Sequence, residues 1–121
     1  MNGSKVRAFN NGVSDKRETL SLSIQERGNL GGSSFVRQHG GATVNVACVP
    51  LADIAPHIDV MKIDIEGMEV PVLRPYFAVC KPRVIIIEAS ENSESWALCR
   101  EAGYCIAGRT AENLLLIHSA Q

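Results

Sequence analysis

Two apolar runs in the second half of the chain, each leading into acidic residues, limit the possible folds more than any other feature. Residues 60–65 run directly into Glu66 and Gly67, and residues 83–88 read R-V-I-I-I-E. Nearly continuous apolar runs of this length are typical of parallel strands that are buried on both faces. Between them, apolar side chains recur at helical spacing, and Pro71 is tolerated if the helix begins near Gly67. The sequence therefore predicts an α/β arrangement of strand, helix and strand.

Alternation of polar and apolar residues predicts further strands in both halves of the chain. These lie at residues 5–9, 19–24, 43–49, 104–107 and 114–117, and the last two are expected to form a C-terminal antiparallel hairpin. A helix is predicted from Asn92 or Ser93, either of which can cap it, to residue 102, and Gly103 ends it. Residues 25–41 contain five of the ten glycines. This glycine-rich loop is too long for a routine connection and is expected to be functional or disordered.

The composition is that of an ordinary single domain, with 121 residues, 45% hydrophobic, 21% charged and a formal net charge of −1. No cluster of basic residues indicates nucleic-acid binding, and no apolar run is long enough to span a bilayer. The four cysteines contain no C-x-x-C pair, which argues against both a zinc site and a disulfide framework. These features predict a cytoplasmic protein with reduced thiols that binds neither nucleic acid nor membranes.

The acidic residues that follow the two apolar runs are the candidate functional side chains. Asp64 lies near the end of the first run, and Glu88 ends the second. If the two strands are neighbours, these carboxylates approach each other outside the carboxyl ends of the sheet, where open α/β folds bind ligands. Asp64 could orient a hydroxyl group, act as a general base or bind a metal, or it could form only a salt bridge or a helix cap. We expect no metal, because two carboxylates alone are weak evidence for Mg²⁺.

Three neighbouring residues of the first run each have two interpretations. Lys62 shares one side of the strand with Asp64 and either extends its ammonium group to solvent or forms an ion pair with a carboxylate. Glu66 lies before the helix and either satisfies free amide groups at the helix N-terminus or contacts a substrate. Glu69 lies in the first helical turn, where an acidic residue is favourable in any protein, and a structural role is expected more than a catalytic one.

The motifs K-I-D-I-E-G-M-E at residues 62–69 and K-P-R-V-I-I-I-E at residues 81–88 resemble the C-terminal half of FkbM-type methyltransferases. Further similarities are N-G-V-S-D at residues 11–15, G-G-S-S-F at residues 31–35 and G-Y at residues 103–104. The resemblance implies an α/β fold of the class I, Rossmann-like type, in a single incomplete domain over residues 1–121. This partial fold would have a mainly parallel sheet and a C-terminal antiparallel hairpin.

The resemblance also implies an activity and a set of site residues. The reaction would be transfer of a methyl group from S-adenosylmethionine to a hydroxyl group of a small molecule or sugar. Asp64 and Glu66 would be catalytic residues on the acceptor side, and Asn11 and Asp15 would lie near the adenine end of the methyl donor. The residues expected to contact the substrate or to support the site are Lys62, Glu69 and Glu88.

One part of the family's domain has no counterpart in this sequence. In that family a glycine-rich loop after the first strand and an acidic residue ending the second strand hold the methyl donor. Only residues 1–4 precede the segment that resembles the third strand, and no G-x-G-x-x-G motif occurs. Two alternatives therefore stay open: a non-catalytic remnant that associates with other chains and, on weaker grounds, a metal-dependent hydrolase that uses Asp64 and Glu88.

The same gap has a consequence for the sheet. In the family, the first two strands lie between the third and the fourth, so their absence leaves one edge of the strand at residues 60–65 bare. A bare apolar edge tends to pair with another strand. We therefore expect this edge to be covered by residues 43–49, by a second copy of the chain or by a neighbouring molecule in a crystal.

Overall fold

A computed structural model describes residues 5–23 and 43–119 of the chain. These residues form seven strands and three helices, and the strands are divided between two sheets. In chain order the elements are β1 (Gly12–Ser14), β2 (Glu18–Ser23), β3 (Thr43–Pro50), α1 (Leu51–Ile54), β4 (Val60–Ile63), α2 (Glu69–Tyr76), β5 (Val84–Glu88), α3 (Glu94–Glu101), β6 (Tyr104–Arg109) and β7 (Asn113–His118). The predicted loop at residues 25–41 lies outside the described residues.

The larger sheet has the strand order β4-β5-β7-β6 and carries most of the hydrophobic core. β4 runs parallel to β5, whereas β7 is antiparallel to both β5 and β6. The register aligns two rows of buried side chains across three strands: Met61 with Ile85 and Leu116, and Ile63 with Ile87 and Leu114. Helices α2 and α3 pack over these rows, since Val72, Leu73 and Tyr76 of α2 and Cys99 of α3 belong to the same cluster.

The opposite face of the larger sheet is exposed to a much greater degree. Val60, Leu115 and Ile117 retain 58%, 37% and 41% of their accessible surface. Because successive side chains of a strand point to opposite faces, these residues lie on the side away from the helices. Val60 of β4 is exposed on this face and Val84 and Ile86 of β5 are half-buried there, so the prediction that both apolar runs are buried on both faces is wrong.

The smaller sheet has the strand order β1-β3-β2, with β1 parallel and β2 antiparallel to β3. Its most buried residues are Ser14, Ser23 and Cys48. Both β1 and α1 contact α2, and the hydroxyl group of Tyr76 donates a hydrogen bond of 2.7 Å to the carbonyl of Ala55. These contacts place the smaller sheet beside the helical layer of the larger one.

The predicted mainly parallel, Rossmann-like sheet is wrong. Two strand pairs are parallel and three are antiparallel, and they form two mixed sheets. The separate sheet with its antiparallel pair of β2 and β3 was not predicted. The C-terminal hairpin was predicted, because the connection at residues 110–112 is shorter than the dozen or more residues that parallel neighbours need. β6 and β7 therefore form an antiparallel hairpin, and β7 continues the sheet antiparallel to β5.

Two of the predicted strands behave differently from expectation. Residues 5–9 are not a strand, and Val6 and Phe9 are 69% and 48% exposed. This segment buries too little apolar surface to be held in a sheet. Residues 43–49 do lie in a strand, β3, but it pairs with β1 and β2, and among the described residues no strand pairs with the outer edge of β4. Pairing of that edge with a second copy stays a prediction.

The predicted helix boundaries near Ser93 and Gly103 are confirmed. The hydroxyl oxygen of Ser93 accepts a hydrogen bond of 3.3 Å from the Trp96 amide and so caps α3. Gly103 follows α3 with a φ of 103°, a left-handed conformation that favours glycine. Across the described ranges, no helix combines the length and apolar character required to traverse a membrane.

Candidate active site

The candidate site begins at the loop that joins β4 to α2. After β4 ends at Ile63, Asp64 and Ile65 lead into Glu66 and Gly67, which have φ values of 48° and 97°. Two consecutive left-handed residues reverse the chain direction before α2. Glycine adopts this conformation freely, whereas glutamate rarely does. The loop therefore holds Glu66 in a conformation that the surrounding contacts must stabilise.

Glu69 supplies part of that stabilisation. Its carboxylate accepts a hydrogen bond of 3.1 Å from the amide of Ile65 and one of 3.0 Å from the amide of Gly67. The first residue of α2 thus bridges both sides of Glu66, and its two carboxylate oxygens are engaged by the backbone. This geometry gives Glu69 a structural contact that fixes the position of the loop.

Three carboxylates meet where β4 and β5 end. One oxygen from each of Asp64, Glu66 and Glu88 lies within 4.8 Å of the others. The parallel register explains this arrangement, because Ile63 is paired with Ile87 and the residues that follow them lie side by side. The convergence of Asp64 and Glu88 at the carboxyl ends of the two strands is confirmed.

The close approach of these carboxylates raises the pKa of Glu88. The negative charge of Asp64 is the largest cause that raises the pKa of Glu88, followed by desolvation and by the charge of Glu66. A further contribution comes from Glu112, in the turn between β6 and β7. The sequence analysis did not identify Glu112, because its proximity depends on the antiparallel pairing of β5 with β7.

The cluster is negatively charged and offers oxygen ligands from two parallel strands. Such a set attracts a cation, and it also provides acceptors for the proton of a hydroxyl group. The three oxygens could hold a divalent cation. The expectation that no metal binds here remains a prediction.

A groove of about 290 Å³ lies along β4. Asp64 and Lys62 are its charged residues, and the remaining lining is apolar. The apolar residues are Val13, Leu51, Ile58, Met61, Ile63, Ile65 and Val72. The groove therefore brings one carboxylate of the cluster next to a space that an apolar or partly apolar ligand could enter.

The other predicted site residues lie outside this groove. The side-chain amide of Asn11 is 3.5 Å from the carbonyl of Ala47. Asp15 accepts a hydrogen bond of 3.2 Å from Ser14 and lines a second cavity, of about 470 Å³, beside α2. Neither residue is among those that line the groove, and the role of the pair toward a methyl donor stays a prediction.

Lys62 is exposed, on the side of β4 away from the helices. In the described part of the chain, its ammonium group forms no ion pair with Asp64 or Glu88. Of the two interpretations of this residue, the solvated one matches the structure. Its charge is therefore available at the edge of the sheet.

Carboxylates that converge at the carboxyl ends of parallel strands, beside a groove, are typical of α/β enzymes. The methyltransferase FkbM domain matches residues 2–106 of the chain, which include both strands and all three carboxylates. The chain belongs to this methyltransferase family. No curated protein and no solved structure matches it.

Proposed function

We propose that the chain transfers a methyl group from S-adenosylmethionine to a hydroxyl group of a small molecule or sugar. Membership of the methyltransferase FkbM domain family supports the reaction class. The convergence of Asp64, Glu66 and Glu88 supports the position of the acceptor. The observation on which the proposal depends is that the three carboxylates meet at the ends of β4 and β5 and that one of them, Asp64, lines the groove.

Methyl transfer to a hydroxyl group requires orientation of the oxygen and removal of its proton. The oxygen forms a bond to the methyl carbon while the bond from that carbon to the donor's sulfur breaks, and the electron pair stays on sulfur. The released proton needs an acceptor within hydrogen-bond distance. A carboxylate with a raised pKa is a better base than an ordinary one, and Glu88 has this property because Asp64 lies beside it. We therefore assign proton acceptance to the pair of Asp64 and Glu88.

The remaining residues have positioning roles in this proposal. Glu66 contacts the acceptor from the turn that Glu69 stabilises. Lys62, at the same edge, contacts the acceptor or supports the site. The negative charge of the cluster also favours binding of the positively charged sulfonium group of the donor. On the basis of the family resemblance, we place the donor's adenine end toward Asn11 and Asp15.

The test is transfer of a radiolabelled methyl group from S-adenosylmethionine to a panel of sugars and small hydroxylated compounds. Asp64→Asn and Glu88→Gln should each lower the transfer rate by about 10²-fold or more, as expected for loss of a general base. Glu101→Gln is the matched control, since it removes an exposed carboxylate from α3 and should leave the rate unchanged. Equal rates in all variants would refute the assignment of the cluster.

Binding measurements distinguish the proposal from the non-catalytic alternative. Calorimetry should detect S-adenosylmethionine binding by the full 121-residue chain. Absence of both binding and transfer would mean that the chain acts only by association with other chains.

The close approach of three oxygen ligands is the specific observation that favours the metal-dependent hydrolase. A thermal shift on addition of Mg²⁺ or Mn²⁺ that disappears in Asp64→Asn would support that alternative. Transfer of the label without added metal would oppose it.

A further inference from the structure

The outer edge of β4 is an unpaired strand edge in the described part of the chain. β4 lies at the end of its sheet, with β5 as its neighbour. The amide of Val84 donates a hydrogen bond of 3.2 Å to the carbonyl of Asp59. Because alternate residues of a strand direct their backbone groups to opposite sides, Met61 and Ile63 face β5, and Val60 and Lys62 face the open edge. The edge thus presents backbone donors and acceptors that can bind another strand.

The charges along this edge are complementary to themselves. Lys62 and Asp64 are both exposed, lie two residues apart and share one side of the strand. When two copies of this segment pair antiparallel with Lys62 opposite Asp64, the symmetry places Asp64 opposite Lys62 as well. Two ion pairs then form, and Ile63 of each copy lies at the two-fold axis. If each strand shifts by one residue, Lys62 lies opposite Lys62 of the other copy. The two ammonium groups then repel each other.

The backbone is compatible with the same register. In an antiparallel ladder, two directly opposite residues can exchange both of their backbone hydrogen bonds. This requires that the N–H and C=O groups of each residue point toward the other strand. The backbone groups of Lys62 point toward the open edge, and those of Asp64, two residues later, point to the same side. The register that forms two ion pairs is therefore also one in which the hydrogen-bonding groups meet.

We propose that a second copy of the chain adds its β4 antiparallel to this edge, with Lys62 of each copy opposite Asp64 of the other. The larger sheet would then continue across the two-fold axis as eight strands. β4 would lengthen toward Asp64. The ammonium group of Lys62 from one copy would reach the carboxylate cluster of the other and offset its charge repulsion. This association does not rest on the proposed methyl transfer.

Charge exchange tests the pairing in the full chain. Sedimentation equilibrium should show a dimer for the unchanged protein. Lys62→Glu and Asp64→Lys should each weaken association by at least about tenfold, because each replaces two attractions with two repulsions. The double variant Lys62→Asp with Asp64→Lys restores opposite charges and should recover most of the affinity. A monomeric unchanged protein, or a double variant as weak as the single ones, would overturn the proposal.

Cross-linking tests the register. In a Cys105→Ser background, which removes the exposed native thiol, the Lys62→Cys chain is mixed with the Asp64→Cys chain. Opposite residues that exchange hydrogen bonds have Cα atoms about 5.5 Å apart, within the range of a disulfide. Two copies of the Lys62→Cys chain would place their thiol-bearing residues roughly 8–9 Å apart, too far for a bridge. Cross-links should form in the mixture and not in either chain alone; equal cross-linking in all three samples, or none in the mixture, would overturn the register.

Discussion

The carboxylate of Glu69 is predicted to determine the stability of the loop that carries the site. It accepts hydrogen bonds from the amides of Ile65 and Gly67, on both sides of Glu66. Removal of the carboxylate leaves two amides without this acceptor and leaves the left-handed conformation of Glu66 without a contact that stabilises it. We therefore expect Glu69→Ala to destabilise the protein more than an ordinary surface substitution does.

The magnitude follows from the two bonds. A hydrogen bond to a charged group contributes about 1.5–3 kcal/mol, and the lower value applies here because the Gly67 amide is exposed. Glu69→Ala should therefore lower the free energy of unfolding by about 3 kcal/mol. Glu69→Gln keeps one acceptor oxygen and should lose about 1.5 kcal/mol. Such losses are a large share of a typical domain stability of about 5–15 kcal/mol.

Urea denaturation followed by circular dichroism measures these changes. Glu94 is the matched control, because it occupies the first position of α3 and makes no comparable bond to a preceding loop within the described ranges. Glu94→Ala removes only the favourable interaction of an acid with a helix N-terminus, about 0.3–1 kcal/mol. If Glu69→Ala and Glu94→Ala destabilise the protein equally, the two hydrogen bonds do not contribute as argued.

Three further predictions follow from the described contacts. Gly103→Ala should lower the free energy of unfolding by about 1–3 kcal/mol, since φ is 103° and the new Cβ would lie 3.0 Å from Nε2 of His118; an unchanged melting temperature would contradict this. Alkylation followed by mass spectrometry should label exposed Cys105 rapidly in the native state, whereas burial raises the pKa of Cys99 to about 12 and should protect it until unfolding. The raised pKa of Glu88 means that the folded chain retains its proton above pH 4.5, where the unfolded chain loses it. The free energy of unfolding should therefore fall as pH rises from the pKa of Glu88 in the unfolded chain to its higher pKa in the folded chain. A contribution of Glu88 with the opposite sign would refute the shift.

Local sequence signals predict several elements of this fold well. The run at residues 83–88 forms β5, and the capping hydroxyl of Ser93 and the left-handed Gly103 bound α3 at the expected positions. These signals depend on neighbouring residues, so the chain contains them whatever its tertiary contacts are. The same holds for the hairpin of β6 and β7, whose short turn leaves one way to pair.

The partners of each strand could not be predicted in this way. The alternation at residues 43–49 indicates a strand but contains no information on whether it joins β4 or the smaller sheet. Alternation at residues 5–9 likewise predicts a strand, yet this segment is not in a strand and Val6 and Phe9 remain exposed. Pairing depends on contacts between residues far apart in the chain, and the mainly parallel sheet was predicted wrongly for this reason.

The candidate site shows the same division. The meeting of Asp64 and Glu88 follows from two strands that end side by side, which the sequence indicates. The hydrogen bonds of Glu69 and the proximity of Glu112 depend on a left-handed turn and on an antiparallel neighbour. In the local sequence, Glu69 is only an acidic residue near a helix start and Glu112 only an acidic residue in a turn. Neither pattern predicts these contacts.

The meeting of Asp64 and Glu88 is the central claim, and a carboxyl-carbon NMR titration of Glu88 tests it most directly. In the unchanged protein, the pKa of Glu88 should lie above its ordinary value of 4.5, with the charge of Asp64 as the largest cause. Asp64→Asn should move it back toward that value, whereas the control Glu101→Gln should not. A pKa of Glu88 that is ordinary in the unchanged protein, or that does not respond to Asp64→Asn, would mean that the two carboxylates do not share a site.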